Sequence, residues 1–275
     1  MKTGRRTAAA AAFVGALGLS ALNAPTAQAA DTGITVSDIV INDGKPVVVG
    51  TTKEVKPPIS FDIALPAGYS TDDPSRYDAF PFLYRGSMET AADTGENFIG
   101  PGGYTCFERD TKHAHCEGEL HIDPDPSRDE VDSNSDATTW KVGVSLRLFK
   151  ADGGLKAAER EPRSLTVRLK RAARATTDAS PEPVTKGRPI TVTGKVTRAN
   201  WGTKKYDAYG GRTVSLQFRA KGAAAFKTVK KATTGSAGTL KATVTASLDG
   251  SYRWVYFGNS TTGVATSAAD YVDVR

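Results

Sequence analysis

From residue 31 onward, apolar and polar residues alternate in short runs, and the rhythm of an amphipathic helix is almost absent. In "ITVTGKVT", Ile190, Val192 and Val196 fall on one face of an extended chain, with threonines and Lys195 on the other. "TVSLQFR" alternates Val214, Leu216 and Phe218 with polar neighbours, and "TLKATVTA" puts Leu240, Ala242, Val244 and Ala246 on one side. "YRWVYF" and "DYVDVR" add two more β-rich runs. A period of two marks a half-buried strand, and the Gly, Asn, Asp and Ser clusters between the runs are turn signals. The front half offers "ITVSDIVIN", "ISFDIAL", "AFPFLYR", "HCEGELHI", "TTWKVGVSLRLF" and "SLTVRL", joined by longer loops. Its clearest run places Trp140, Val142, Val144, Leu146 and Leu148 on one parity. Short strands at this spacing predict an all-β chain of antiparallel sandwiches. "LDGSYRW" adds a detail: a turn at Asp249-Gly250 runs into a strand opened by Tyr252, the form of an immunoglobulin tyrosine corner.

Two stretches divide the chain. Lys2, Arg5 and Arg6, then the uncharged run "TAAAAAFVGALGLSAL", then Ala27-Gln28-Ala29 have the order of a secretory signal peptide over residues 1–29. The run is too short to span a bilayer comfortably and no second one follows, so no transmembrane segment is expected. The polar stretch "KRAARATTDASPEPVTKGRP", with three prolines, marks a boundary. It splits the mature chain into a first sandwich over residues 30–172 and a second over 173–275, in a secreted, extracellular monomer. Charge divides at the same place. Residues 31–170 carry 16 Lys and Arg against 24 Asp and Glu, net −8, and residues 171–275 carry 17 against 6, net +11. The overall +6 thus hides an acidic half joined to a basic one.

"CFERDTKHAHCEGELH" holds both cysteines and all three histidines of the chain. In an exported protein, Cys106 and Cys116 read as a disulfide, contributing about 3 kcal/mol by loop closure. If Ala114–Ile122 is a strand, Ala114, Cys116, Leu120 and Ile122 point one way, and His113, His115, Glu117, Glu119 and His121 the other. Two readings stand for the histidines. His113 and His115 form a His-x-His pair suited to zinc or copper with a carboxylate from elsewhere, or they line a solvated polar face. His121 lies roughly 20 Å from His115 along a regular strand, too far to share an ion.

The acidic loop "DPDPSRDEVDSNSD" offers Asp123, Asp125, Asp129, Glu130, Asp132 and Asp136 as hard oxygen donors, with calcium the only candidate cofactor. It is no EF-hand: Arg128 stands where glycine is needed and Asn134 where the bidentate Glu belongs. A solvated acidic loop is the competing reading. In the basic half, Arg219, Lys221, Lys227, Lys230, Lys231 and Lys241 lie on or near adjacent strands. They suit an anionic cell-envelope polymer, or they are lysines that keep sheet edges from pairing. Specific nucleic-acid binding is not expected of an exported chain.

The sequence contains no G-x-S-x-G, no H-E-x-x-H and no P-loop, so no enzyme is expected. "ASPEPVTKGRPITVTGKVTRANW", "GRTVSLQFRAKGAAAFKTVKKATT", "DGSYRWVYFGNSTTG" and the final "DYVDVR" resemble the C-terminal module of small secreted actinobacterial proteins of the Streptomyces type. "NDGKPVVVGTTKEV" and "ELHIDPDP" resemble the N-terminal module found with it. The resemblance implies a secreted pair of immunoglobulin-like domains, with no assigned activity and sometimes a calcium-binding label. The leading expectation is therefore noncatalytic binding of an anionic envelope polymer or another extracellular protein. The alternatives are calcium binding by the 123–136 loop, and protease inhibition by the disulfide-tied loop.

Overall fold

Trp140, Val142, Val144, Leu146 and Leu148, the longest alternation in the sequence, are all buried. They belong to a computed structural model that describes residues 31–124 and 131–275. The leader expected over residues 1–29 lies outside the described residues. The first unit contains β1 (Thr35–Ile41), β2 (Val47–Val49), β3 (Pro58–Ala64), β4 (Tyr77–Tyr84), β5 (Phe98–Ile99), β6 (Pro101–Glu108), β7 (His113–Leu120), β8 (Thr139–Phe149) and β9 (Leu155–Arg171). One sheet has the order β1-β3-β7-β6 and the other β2-β9-β8-β4-β5. Phe61, Cys116 and Leu120 from the first meet Trp140, Leu146 and Leu169 from the second in a shared core.

Strand β4 is buried on both faces, which its sequence "YDAFPFLY" foreshadows, because a short helix α1 (Met88–Thr94) covers the outer side. Phe82, Tyr84 and Ala91 form a small second core there, with Met88 and Phe98 against it. Periodicity does not reveal this helix, since two turns are too few to show it. Its signals are the ends: Ser87 caps the first turn and Gly95 closes it with φ 79°.

The second unit comprises β10 (Ala173–Ser180), β11 (Pro189–Asn200), β12 (Lys205–Ala208), β13 (Thr213–Ala220), β14 (Lys227–Thr233), β15 (Thr239–Thr245), β16 (Gly250–Tyr256), β17 (Ala265–Thr266) and β18 (Asp270–Val272). In one sheet β11 lies between β10 and β15, with β12 continuing the β15 side. The other runs β14-β13-β16-β17, with β18 also on β16. The stretch read from sequence as a boundary is itself strand β10. Its alanines and threonines are too small to show a hydrophobic rhythm.

Trp254 joins the two sheets of this unit. The ring is fully buried and Nε1 donates to the Thr193 carbonyl at 3.0 Å. Gly194 makes room for it: a Cβ there would stand 2.7 Å from the indole and 2.4 Å from the Thr176 carbonyl. Strand β16 opens at Gly250, with Tyr252 as its third residue and buried, and the tyrosine corner expected from "LDGSYRW" is incomplete. Among the described residues nothing accepts a hydrogen bond from its hydroxyl, and its ring packs on Phe218 at 4.6 Å.

No linker separates the units. β9 ends at Arg171 and β10 begins at Ala173, and the Ala172 amide between them donates to Val49 O at 2.8 Å. Just beyond β11, Trp201 enters the first unit's core with no exposed surface. Its Nε1 donates to Gly50 O at 2.8 Å and its amide to Asn134 Oδ1 at 3.0 Å.

Gly194→Ala is expected to cost roughly 1–3 kcal/mol by overpacking against Trp254, read as a lower denaturant midpoint with an unchanged slope. Trp201→Ala is expected to cost about 3–5 kcal/mol. Calorimetry should then show one unfolding transition in the wild type and two in the variant.

Candidate functional site

Two surfaces concentrate the residues singled out by sequence. The first is the outer face of the sheet that contains the β6–β7 hairpin. Cys106 and Cys116 are direct register partners on these strands and are disulfide-bonded. Cys116 points into the core with Ala114 and Leu120, so His113, His115, Glu117 and Glu119 point out. Each histidine has its own carboxylate. His115 Nδ1 lies 2.6 Å from Asp62 and its Nε2 3.4 Å from Glu117. His113 Nδ1 lies 2.9 Å from Asp110, and His121 Nδ1 2.9 Å from Glu54. Arg109 also bridges to Asp62 at 2.6 Å. A shallow pocket of about 240 Å³ opens here between Ser37, Asp62, Arg109, Asp110 and His113. The structure thus puts His113 and His115 on one face without bringing them onto one point. Among the described residues no three His, Cys, Asp or Glu side chains are placed to share a metal ion.

The hydrogen bond with His115 dominates the environment of Asp62. Partial burial opposes it, Arg109 reinforces it, and the net effect holds the carboxyl below its ordinary 3.8.

Of the acidic loop, Asp125, Asp129 and Glu130 lie outside the described residues. Asp123 and Asp132 flank them, both reaching solvent. Asp136 does not belong with the loop donors: it is 3% exposed and turned inward. One oxygen pairs with Arg85 at 2.5 Å and the other accepts from the Ser133 amide at 2.9 Å, closing the turn Asn134–Asp136. Burial pushes its carboxyl up, against the Ser133 bond and the Arg85 charge. Arg85 in turn covers Trp140, 5.1 Å from the ring. This carboxylate secures the start of β8, a role that spacing within the loop did not suggest.

The second surface is the outer side of the β14-β13-β16 sheet, and the six basic residues divide on it. Arg219 lies exposed on β13 and Lys231 on β14, on the side away from the core. Lys227 and Lys230 sit opposite Phe218 and Leu216, on the core-facing side of edge strand β14. Lys230 reaches across the sandwich edge to Thr243 O at 2.9 Å. Inward-pointing lysines on an edge strand oppose pairing with another chain. Lys241, between buried Leu240 and Ala242, faces outward from the other sheet. Lys221 sits at the far end of β13 beside Asp249, 3.6 Å away. Two residues not singled out by sequence complete the face. Arg219 and Arg253 both lie over the ring of Phe226, at 4.7 and 3.9 Å. Arg253 is held by Gln217 at 2.9 Å. Phe226 sits in "KGAAAFK", where a single aromatic in a turn gives no periodic signal.

The strand order defines the class: an all-β chain of immunoglobulin-like sandwiches. No helix among the described residues is long and apolar enough to cross a membrane. Comparison with protein-family models gives no match, and comparison with curated proteins gives none. Solved structures give distant likenesses. A marsupial T cell receptor is 7% identical, over 88% of this chain and 73% of that one, with a TM-score of 0.37. The mouse nectin-like molecule 4 ectodomain (Ig1–Ig3) is 12% identical over 86% of this chain, which spans only 63% of that ectodomain, with a TM-score of 0.25. The D0–D1 domain of intimin is 13% identical, over 86% of this chain and 98% of that one, with a TM-score of 0.27.

Asp62→Asn is expected to lower the melting temperature at pH 7. A depressed folded-state pKa contributes stability above the unfolded value and loses it as the pH falls. The wild-type and variant melting curves should therefore converge as the pH drops below 3.8, the ordinary value of this carboxyl.

Proposed function

We propose that the chain is an exported, noncatalytic binding protein that holds an anionic polymer of the cell envelope on the outer face of its second sandwich. One observation carries this reading: Arg219 and Arg253 stack on Phe226, and neither is ion-paired among the described residues. Stacking fixes two guanidinium groups without consuming their outward N–H donors, and a guanidinium presents a planar fork to phosphate or carboxylate oxygens. Lys231 continues the positive strip along β14. The remaining lysines add long-range attraction within a half-chain of net charge +11. Export is supported by the leader-like start and the disulfide. The absence of recognised catalytic motifs agrees with a binding role. The acidic first unit turns a different chemistry to solvent, so a polyanion is favoured at one end of the molecule only.

Binding of the mature protein to isolated cell walls should weaken by roughly 20- to 40-fold between 50 and 200 mM salt, as expected for about three anion contacts. The Arg219→Gln/Arg253→Gln double variant should melt near the wild-type temperature and lose most wall binding. Equal binding by variant and wild type would remove this face from the proposal.

A further inference from the structure

Where the second sandwich meets the first, three arginines gather. Arg171 ends β9, is 7% exposed, and spends its Nε on Ala199 O at 2.5 Å. Arg198 lies on the core-facing parity of β11, in step with Val196, with its guanidinium 4.2 Å from the centre of the Tyr209 ring. Arg212 approaches the same ring at 4.7 Å. The further side-chain bonds of Arg198 and Arg212 end on Thr262 Oγ1 and Gly210 O, both uncharged. Asp207, opposite Arg198 in the β11–β12 register, is the acid whose field reaches Arg171, but Asn200 holds its carboxylate at 2.5 Å. No ion pair joins any of the three arginines to a carboxylate among the described residues.

The hydroxyls beside them are also poised. Tyr209 is 5% exposed, and its oxygen accepts from Asn259 Nδ2 at 3.0 Å and meets Thr262 Oγ1 at 3.2 Å. Tyr256 packs edge-on against it at 5.6 Å. The Tyr256 hydroxyl is buried and interacts with the Tyr209 hydroxyl, but no well-formed hydrogen bond ends on it among the described residues. A buried O–H without a well-formed hydrogen bond is costly, and so is a buried cation without a counterion. Here both occur in one cluster whose other members, Arg198 and Arg212, are only half-buried and reach solvent. Desolvation, then the Arg198 charge, bring the Arg171 pKa down to about 10.

We propose that this cluster is a binding site for a phosphate-class oxyanion, free or as part of a larger phosphoester. Arg198 and Arg212 form its mouth, and Arg171 and the Tyr256 hydroxyl its floor. Tetrahedral oxyanions match the donor set, which combines planar guanidinium forks with a phenolic O–H and, among the described residues, holds no ion-paired carboxylate. The site is separate from the Arg219–Phe226–Arg253 face, on a different end of the sandwich, and does not rest on polymer binding there.

The test is thermal unfolding and calorimetric titration of the mature chain at constant ionic strength, with sodium phosphate or sodium sulfate replacing chloride. Inorganic phosphate should raise the melting temperature saturably, as any ligand of the native state must. Arg198→Gln should weaken the calorimetric affinity at least tenfold. Tyr256→Phe removes only this hydroxyl. It should leave the melt in chloride unchanged or higher, while cutting the phosphate affinity severalfold. Arg219→Gln/Arg253→Gln should titrate as wild type. Glycerol 3-phosphate and a glycerophosphodiester, titrated in parallel, distinguish sources: binding of the diester points to a polymer backbone, and binding of inorganic phosphate alone to the free anion. A melt that no phosphate or sulfate shifts overturns the site, as does an affinity equal in wild type, Arg198→Gln and Tyr256→Phe.

Discussion

The insertion of Trp201 into the first unit's core governs how the rest of the molecule is arranged. The residue belongs by sequence to the second unit but is buried by the first, with its amide and its indole N–H both donating across the boundary. A tryptophan buried this way removes the freedom that two sandwiches on one chain would otherwise have. The covalent path adds to the constraint. Strand β9 hands the chain to β10 through Ala172, whose N–H and carbonyl are taken by Val49 and Ala199. The backbone of Arg171 is paired as well, with Thr261 and Gly263 of the loop after β16.

This joint explains why the arginine cluster exists where it does. Arg171 is carried to the boundary by β9, while Arg198 and Arg212 belong to the end of the second sandwich. Docking brings together like charges that an independent domain would leave in water. Stacking on Tyr209 and bonds to carbonyls orient them, but neither supplies opposite charge. The same physics is resolved differently inside the first unit. There Arg85 lies over Trp140 and is neutralised by the buried carboxylate of Asp136.

The two exposed faces differ in how their charges are used. On the β6–β7 side, the histidines and Arg109 are all paired with carboxylates, Arg109 and His115 sharing Asp62. On the β13–β16 side, Arg219 and Arg253 are held by an aromatic ring and Arg253 by glutamine, with no ion pair among the described residues. Edge strand β14 carries lysines on its core-facing side, which guards the sheet against another chain while leaving the outer face clear.

The alternation of residues by itself determined the all-β class and the larger strands. Trp140 to Leu148, Val214 to Phe218 and Ile190 to Val196 face inward as their parity requires, because a strand with one wet face leaves no other choice. The outward turn of the histidines followed from the same parity, and the pairing of Cys106 with Cys116 from their being the two cysteines of an export-type chain. Strand β10 stayed hidden for lack of large side chains, helix α1 and the short strands β2, β5, β12 and β17 for lack of length, and β6 and β14 because glycines or lysines break their alternation. Only the tertiary structure decided which charges meet. Asp136 leaves its acidic neighbours for Arg85, Phe226 collects two arginines from different strands, and Arg171, Arg198 and Arg212 converge from three separate stretches. Periodicity records which side of an element a residue occupies. Encounters between distant residues depend on how whole sheets dock, and no local pattern carries that information.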